Sequence, residues 1–286
     1  MVLSAEQQRR FHTDGYVLVP GAVDPNTIER AAAALPTEFP TPDEFFADPD
    51  AYADLHGPFA GNRDFPWNHL DLNLVAADPW LTAAAEQLLD STDISIYKAE
   101  LWAKYAGAGP YDQGHHRDFG NHTLVVPRAD GRWRQVTTFV YLTDVGPGDG
   151  PTAVVPRPET NHIPLGERKV PFGDLFDREL TVAGPAGSVL LYQTDVFHRG
   201  TELIGERSSR FAALIDFKHN DMSWGGKHAW PHRANAPALS EFLSAINPRQ
   251  RYLFGFPPPG HEYWNEQTLA DVQIRYPEMD LDPYRS

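Results

Sequence analysis

The sequence contains no cysteine among its 286 residues. That absence excludes disulfide bonds, thiolate metal sites and cysteine nucleophiles, and it favours a cytoplasmic location. No apolar run reaches the roughly eighteen residues of a membrane span. The N-terminal MVLSAEQQRR also lacks the apolar stretch of a secretory signal. We therefore expect no membrane association.

Positive charge is scarce, since 24 Lys and Arg face 39 Asp and Glu for a formal net charge of -15. Such a surface repels nucleic-acid phosphates, so we expect no nucleic-acid partner. Polyanionic substrates such as coenzyme A esters are disfavoured on the same ground. Arg128, Arg132 and Arg134 form a local basic cluster, for which a solvated hairpin tip is the simpler interpretation.

Aromatic residues are plentiful, with 7 Trp, 16 Phe and 11 Tyr, and they suffice for a substantial core. We expect residues 1–286 to form a single domain. Its parts would be an N-terminal helical part over about residues 1–92, a jelly-roll core over about 93–218 and a C-terminal extension over about 219–286.

Helix signals dominate the first part of the chain. Ser4 opens a capping box for a helix through about Phe11, Asp24 caps a second helix, and Pro79–Leu89 reads as a third. Residues 36–68 lack periodicity and are expected to be irregular.

Strand signals follow from residue 95 onward. The predicted strands are Ser95–Tyr105, Arg134–Thr143, Thr152–Val155, Ser188–Tyr192 and Arg210–Phe217. Helices followed by a series of short strands predict a mainly β fold with flanking helices, a β-sandwich or jelly roll.

The motif His-x-Asp occurs four times, at His12, His69, His116 and His219. His116 and Asp118 follow a long predicted strand, and His198 follows a later one. Period-2 alternation would turn His116 and Asp118 to one face of a strand. Two imidazoles and one carboxylate are the facial ligand set of non-haem Fe(II) oxygenases. From these residues alone, a hydrogen-bonded core histidine and a turn-forming aspartate are the alternative.

Arg210 opens an apolar predicted strand, where burying an unpaired cation is costly. A guanidinium there can form a two-pronged bond to a carboxylate. Beside a ferrous site the small dicarboxylate would be 2-oxoglutarate, with its far carboxylate on Arg210 and its keto-acid end on the metal. Arg207 competes for this role, but its polar turn indicates a solvated side chain.

These landmarks resemble the phytanoyl-CoA dioxygenase family of Fe(II)/2-oxoglutarate-dependent oxygenases. The opening LSAEQQRRFHTDGYVLVPGAVDPNTIERA is similar to the family's N-terminal helix and Gly-Tyr strand. His116-Arg117-Asp118 falls at its His-x-Asp, His198-Arg199-Gly200 resembles its distal histidine motif, and Arg210 follows at the expected interval. The resemblance covers about residues 4 to 217. The segment Pro151–Pro158 departs from it, and the C-terminal extension matches no core motif.

The resemblance implies a double-stranded β-helix (a cupin-like jelly roll) and a 2-oxoglutarate-dependent dioxygenase. His116, Asp118 and His198 would be its metal ligands and catalytic residues, with Fe(II), 2-oxoglutarate and O2 as cofactors. The implied reaction hydroxylates an unactivated C–H bond of a small molecule and releases succinate and CO2. Asp118 disfavours halogenation, because halogenating relatives carry a small residue there. Loops over 36–68, 157–178 and 219–264 are expected to contact the substrate.

Other contacts are predicted less directly. Thr201, just past His198, and Gln113, before His116, are candidate cofactor-binding residues. Candidate cavity walls are Lys98, Trp102, Tyr111, Thr138, Trp224 and Tyr263. Ordinary packing or a turn role is the alternative for each of them.

Two other functional classes stay open. A catalytically silent jelly-roll binding module would keep the cavity, but it would have no reason to keep all three ligands and Arg210. A cupin-type metal-dependent isomerase or hydrolase would keep the metal ligands and give Arg210 no cosubstrate to bind.

Overall fold

A computed structural model of the chain describes residues 1–131, 134–222, 225–227, 230–233 and 236–285. Arg132 and Trp224, both singled out in the sequence, lie outside these residues. Within them, no helix combines the length and the apolarity needed to cross a bilayer.

Helices flank the sheets at both ends of the chain. In the described residues they are α1 (Ala5–Asp14), α2 (Pro25–Ala34), α3 (Pro42–Ala47), α4 (Leu70–Ala76), α5 (Pro79–Leu89), α6 (Phe119–His122), α7 (Pro237–Ala245), α8 (Pro248–Leu253) and α9 (Glu266–Arg275). Capping chemistry decides where α1 begins and ends. The Ser4 hydroxyl accepts from the Gln7 amide, the Gln7 side chain accepts from the Ser4 amide, and Gly15 ends the helix at φ 84°.

The strands of the described residues form two antiparallel sheets. They are β1 (Tyr16–Val19), β2 (Asn62–Asp64), β3 (Ile94–Tyr105), β4 (Val136–Tyr141), β5 (Thr152–Val154), β6 (Leu180–Val182), β7 (Val189–Gln193), β8 (His198–Gly200) and β9 (Ser209–His219). The larger sheet has the order β1-β7-β4-β9-β3-β2 and the smaller one β6-β5-β8. The predicted fold class, jelly-roll sheets with flanking helices, is confirmed, as a sandwich of two sheets rather than a closed barrel.

The larger sheet is covered on both faces, which explains why its strands are nearly continuous apolar runs. On one face Ile215 belongs to the core cluster that includes Leu72 of α4 and Leu81 of α5. On the other face Phe139 packs in a second cluster with Val154 of the smaller sheet. The site described below lies on this second side, between the two sheets.

Residues 36–68 are more regular than expected. They contain α3, a 3-10 segment at Pro49–Leu55 and β2, which adds an edge strand to the larger sheet by pairing with β3. Thr41 starts α3 with a capping box to Glu44 that the aperiodic composition of the segment obscured.

The C-terminal extension completes the main core. Phe242 of α7 is fully buried, and its ring centroid lies 5.0 Å from that of Phe65 and 5.0 Å from that of Phe254. The buried Arg251 of α8 donates from Nε to the Leu243 carbonyl at 2.7 Å, which joins α8 to α7. These helices therefore stabilise the sheet that carries the site.

Candidate metal centre and its cavity

The backbones of His116 and His198 pair directly. Each amide donates to the carbonyl of the other at 3.0 Å, in an isolated antiparallel bridge beside β8. Asp118 has helical dihedral angles and caps the start of α6. The expectation that strand alternation places His116 and Asp118 on one face is therefore wrong. The turn of the chain into α6 brings the carboxylate to the imidazoles.

The three side chains converge on one point. One ligand atom from each of His116, Asp118 and His198 lies within 4.8 Å of the other two, a group that could hold a metal ion. The Asp118 carboxylate oxygens lie 3.7 Å from His116 Nε2 and 3.4 Å from His198 Nε2. Both imidazoles thus present the same nitrogen to the carboxylate.

Backbone carbonyls select the tautomer of each imidazole. His116 Nδ1 donates to the Gly114 carbonyl and His198 Nδ1 donates to the Val196 carbonyl, both at 3.0 Å. A neutral imidazole that carries its proton on Nδ1 keeps the lone pair of Nε2 free for a metal. The orientation of both rings therefore suits ligation.

The charge states of His116 and Asp118 also suit a cation, whereas burial alone would lower the pKa of His198 but Asp118 raises it, so a metal ion must displace the proton of that imidazole. Burial, together with His198, lowers the pKa of His116 to about 4, so this imidazole is neutral at physiological pH. Burial by itself would raise the pKa of Asp118, but the neighbouring His198 holds it well below the ordinary value. The Tyr192 hydroxyl donates to Asp118 Oδ2 at 3.2 Å and fixes the carboxylate.

The group opens into a cavity of about 760 Å³ between the sheets. Strands β3, β4, β7, β8 and β9 contribute its walls, together with the loop before His116 and a segment over residues 168–172. A space of this size accommodates a small cosubstrate and a further organic molecule.

Arg210 lies in this cavity beside the buried amine of Lys104. It is 3% exposed, its guanidinium donates to the Gly150 carbonyl, and its Nε has no hydrogen-bond partner among the described residues. Lys104 is its register partner on β3, and burial together with Arg210 lowers the pKa of the Lys104 amine to about 6. A buried guanidinium beside a buried amine favours an anionic ligand, whose charge would in turn favour the protonated amine. Lys104 was not predicted, because strand alternation did not reveal its face.

Arg207 is separated from this pair. Its side chain is 59% exposed and lies 3.3 Å from Asp43 Oδ1, as its polar turn predicted. Gln113 lines the cavity, but its Oε1 accepts from the Gly200 amide at 3.0 Å. The Thr201 hydroxyl donates to the Pro151 carbonyl at 2.6 Å. Both side chains therefore have backbone partners of their own.

A buried charge network lies behind Asp118. The Lys98 amine is 3.4 Å from Glu100, 3.5 Å from Asp216 and 3.4 Å from His122 Nε2. Burial alone would lower the pKa of Lys98, but Asp216 and Glu100 raise it above its ordinary value. Lys98 stays charged and helps to balance the carboxylates of the site. Glu100 and Asp216 carried no sequence signal beyond their place in apolar strands.

Of the other predicted wall residues, some line the cavity, whereas others form hydrogen bonds to backbone groups. Trp102 lines the cavity and donates from Nε1 to Glu100 at 3.1 Å. The Thr138 hydroxyl donates to the Ile215 carbonyl at 2.9 Å, and Tyr111 accepts from the Tyr105 amide at 3.4 Å. Tyr263 is partly exposed in the C-terminal extension.

The two arginines that follow the candidate ligands His116 and His198 bind residues 164–179, the covering segment. Arg117 donates to the carbonyls of Pro164 at 2.7 Å and Glu167 at 3.0 Å. Arg199 forms a two-pronged bond to Glu179 at 2.6 and 2.7 Å. Since each arginine adjoins a candidate ligand in the sequence, these bonds tie the covering segment to the candidate metal group.

The sequence profile of the phytanoyl-CoA dioxygenase (PhyH) family matches residues 11–212. The chain belongs to that family. The resemblance inferred from the four landmarks is thus confirmed for this PhyH-family protein, whereas no curated protein matches it in sequence.

Two solved structures share the fold of this PhyH-family protein. The non-heme alpha ketoglutarate dependent carbocyclase SnoK from nogalamycin biosynthesis is 18% identical, with a TM-score of 0.55 over 80% of this chain and 89% of that chain. The epimerase SnoN, solved in complex with Fe3+, alpha ketoglutarate and nogalamycin RO, is 18% identical, with a TM-score of 0.51 over 75% of this chain and 82% of that chain. The expected cofactors, Fe(II), 2-oxoglutarate and O2, fit the donor set of the PhyH-family site.

Proposed function

We propose that the protein is an Fe(II)/2-oxoglutarate-dependent oxygenase that hydroxylates a C–H bond of a small molecule. His116, Asp118 and His198 hold the iron and leave one side of it open to the cavity. When bound, Fe(II), 2-oxoglutarate and O2 supply the oxidising chemistry that removes a substrate hydrogen, with release of succinate and CO2. The observation that carries this proposal is a group of three ligands, with both Nδ1 atoms engaged, that shares a cavity with Arg210.

Arg210 and Lys104 bind the far carboxylate of 2-oxoglutarate. Arg210 is buried with an Nε that lacks a partner, so a carboxylate there satisfies a donor that the described residues leave free. Lys104 adds a second donor from the adjacent strand. The same two side chains give no advantage to a cupin-type isomerase or hydrolase, which binds no dicarboxylate cosubstrate.

The remaining groups around the iron position its ligands. Tyr192 holds one oxygen of Asp118, and burial raises the Tyr192 pKa well above its ordinary value, so the hydroxyl stays protonated and donates. Lys98 with Asp216 and Glu100 balances the buried charge. A silent binding module would need none of these arrangements.

The test is the variant Asp118→Ala, which removes the carboxylate of the metal group. Under anaerobic conditions, Fe(II) and 2-oxoglutarate should give the wild-type protein a weak visible metal-to-ligand band. Asp118→Ala should lose the band and the 2-oxoglutarate-dependent O2 uptake measured across a panel of small molecules. The control, Asp43→Ala, removes a fully exposed carboxylate and should behave as wild type.

Contrary results identify the alternatives. Succinate release by Asp118→Ala at the wild-type rate refutes the ligand assignment, and Fe(II) binding without a 2-oxoglutarate band indicates a cupin-type enzyme or a binding module. Epimerisation and carbocyclisation, the activities named for the two solved relatives, are alternative outcomes that product analysis distinguishes from hydroxylation.

A further inference from the structure

Most cations that line the cavity already have an assigned partner. Lys98 and Lys227 face Glu100, and Arg199 pairs with Glu179. Arg210 and Lys104 are accounted for by the proposed cosubstrate. The cations left over are Arg168 and Lys169, neighbours on the covering segment, and neither has an ion pair with a described residue.

Arg168 is directed into the cavity by the shape of α6. A Cβ on Gly120 would lie 2.1 Å from Arg168 Cδ. The arginine side chain therefore crosses α6 at Gly120, which has no side chain to obstruct it. Its Nε is buried and has no hydrogen-bond partner among the described residues. Gly120 follows Asp118 by two residues, so the Arg168 side chain lies over the helical turn that Asp118 begins.

Lys169 lies opposite His116, the first residue of the His-x-Asp motif. Its backbone forms an antiparallel bridge with His116, and its side chain is exposed at the cavity. The Arg117 amide donates to the Arg168 carbonyl at 2.8 Å. These backbone contacts hold both residues next to the His-x-Asp motif, where they line the cavity.

Aromatic side chains line the same cavity. Phe172 is 65% exposed and lies over Gly114, where an added Cβ would be 3.7 Å from Cδ2 of the ring. Phe59 is 59% exposed and packs edge-on against Trp102, with ring centroids 5.8 Å apart. Exposed aromatic rings at the walls of a cavity favour an apolar ligand body.

We propose that Arg168 and Lys169 form a subsite for an oxyanion of the substrate, a carboxylate or a phosphate, while Phe172, Phe59 and Trp102 contact an aromatic body. This subsite rests on the proposed function because it places the substrate beside the iron. The protein has a net charge of -15, so its surface as a whole repels anions. Two neighbouring cations in this cavity without ion pairs to described residues therefore indicate a local site for an anion.

The test uses 2-naphthoate as the probe, with the neutral 2-naphthamide as its matched counterpart. Binding is measured by calorimetry to anaerobic protein loaded with Fe(II) and 2-oxoglutarate, whose visible band is recorded in the same samples. Wild type should bind 2-naphthoate more tightly than the amide. Arg168→Gln should weaken 2-naphthoate binding about tenfold or more and leave the amide unchanged. 2-Naphthyl phosphate distinguishes the two oxyanions, because the tighter ligand identifies the group that the subsite prefers.

Two further variants separate charge recognition from a structural role. Gly120→Ala should displace the Arg168 side chain and so also weaken 2-naphthoate binding. Arg168→Lys keeps the positive charge and should bind 2-naphthoate more tightly than Arg168→Gln does. Arg178→Gln, an exposed arginine of the covering segment outside the cavity lining, should bind as wild type. Equal affinity of wild type for acid and amide, or no effect of Arg168→Gln on 2-naphthoate, overturns the subsite. An intact band in those samples leaves the proposed oxygenase function standing, whereas a missing band in wild type refutes that function separately.

Discussion

Replacing Arg210 by glutamine tests the cosubstrate site most directly. The change removes a buried guanidinium whose Nε is unpartnered and keeps a polar side chain of smaller reach. A hydrogen bond to a charged group contributes about 1.5–3 kcal/mol, and each 1.4 kcal/mol is roughly a tenfold change in Kd. Burial places Arg210 toward the upper end, while Lys104 retains part of the attraction. We therefore expect the Kd for 2-oxoglutarate to rise about tenfold to a hundredfold.

The assay is an anaerobic titration of Fe(II)-loaded protein with 2-oxoglutarate, followed by the visible band. Arg207→Gln is the matched control, because this arginine precedes β9, is 59% exposed and has its one ion pair among the described residues with the exposed Asp43. Its loss should leave the Kd unchanged, since such surface pairs contribute little. The reasoning is refuted if Arg210→Gln binds 2-oxoglutarate as tightly as the control does, or if Fe(II) affinity falls in parallel.

Two other predictions concern protonation and stability. Burial and Arg210 lower the pKa of Lys104 to about 6, and an arriving carboxylate should raise it. Binding should therefore take up a proton, and 2-oxoglutarate affinity should fall as the pH rises above about 6. Calorimetry in buffers of different ionisation enthalpy measures the proton uptake, and persistence of this pH dependence in Lys104→Met would contradict the assignment. The free energy of unfolding of the ligand-free protein should depend on pH in the opposite direction. Between pH 6 and the ordinary lysine pKa the unfolded chain binds more protons than the folded chain, so the Lys104 contribution to stability increases with pH. Phe242→Ala should lower the free energy of unfolding by about 3–5 kcal/mol in urea titrations, because its ring is fully buried against Phe65 and Phe254; a change within error would show that the C-terminal extension unfolds separately.

Local patterns were sufficient for much of the fold. The capping box at Ser4, the Asp24 cap before Pro25 and the β-branched runs of the larger sheet were assigned correctly, because each depends on contacts within a few residues. Short β8 and the helix α3 were not assigned. Their formation depends on partners elsewhere in the chain or on a cap inside an aperiodic stretch.

The metal group illustrates the same division. The sequence identified His116, Asp118 and His198, and the structure brings them together. The reason offered for their approach was nevertheless wrong, since Asp118 is the N-cap residue of α6 and does not lie on a strand. Motif order was informative because chemistry constrains residue types, whereas the path of the backbone between them is a tertiary property.

By itself, the sequence determined the family, the class of fold, the three candidate ligands and the buried arginine of β9, because residue type, spacing and local periodicity carry that information. Only the tertiary structure decided that Lys104 lies beside Arg210, that Glu100 and Asp216 surround Lys98, and that Arg168 reaches the cavity across Gly120. Each of these depends on which residues of distant segments become neighbours. That is set by the register of the strands and the packing of the loops, and not by any pattern within one segment.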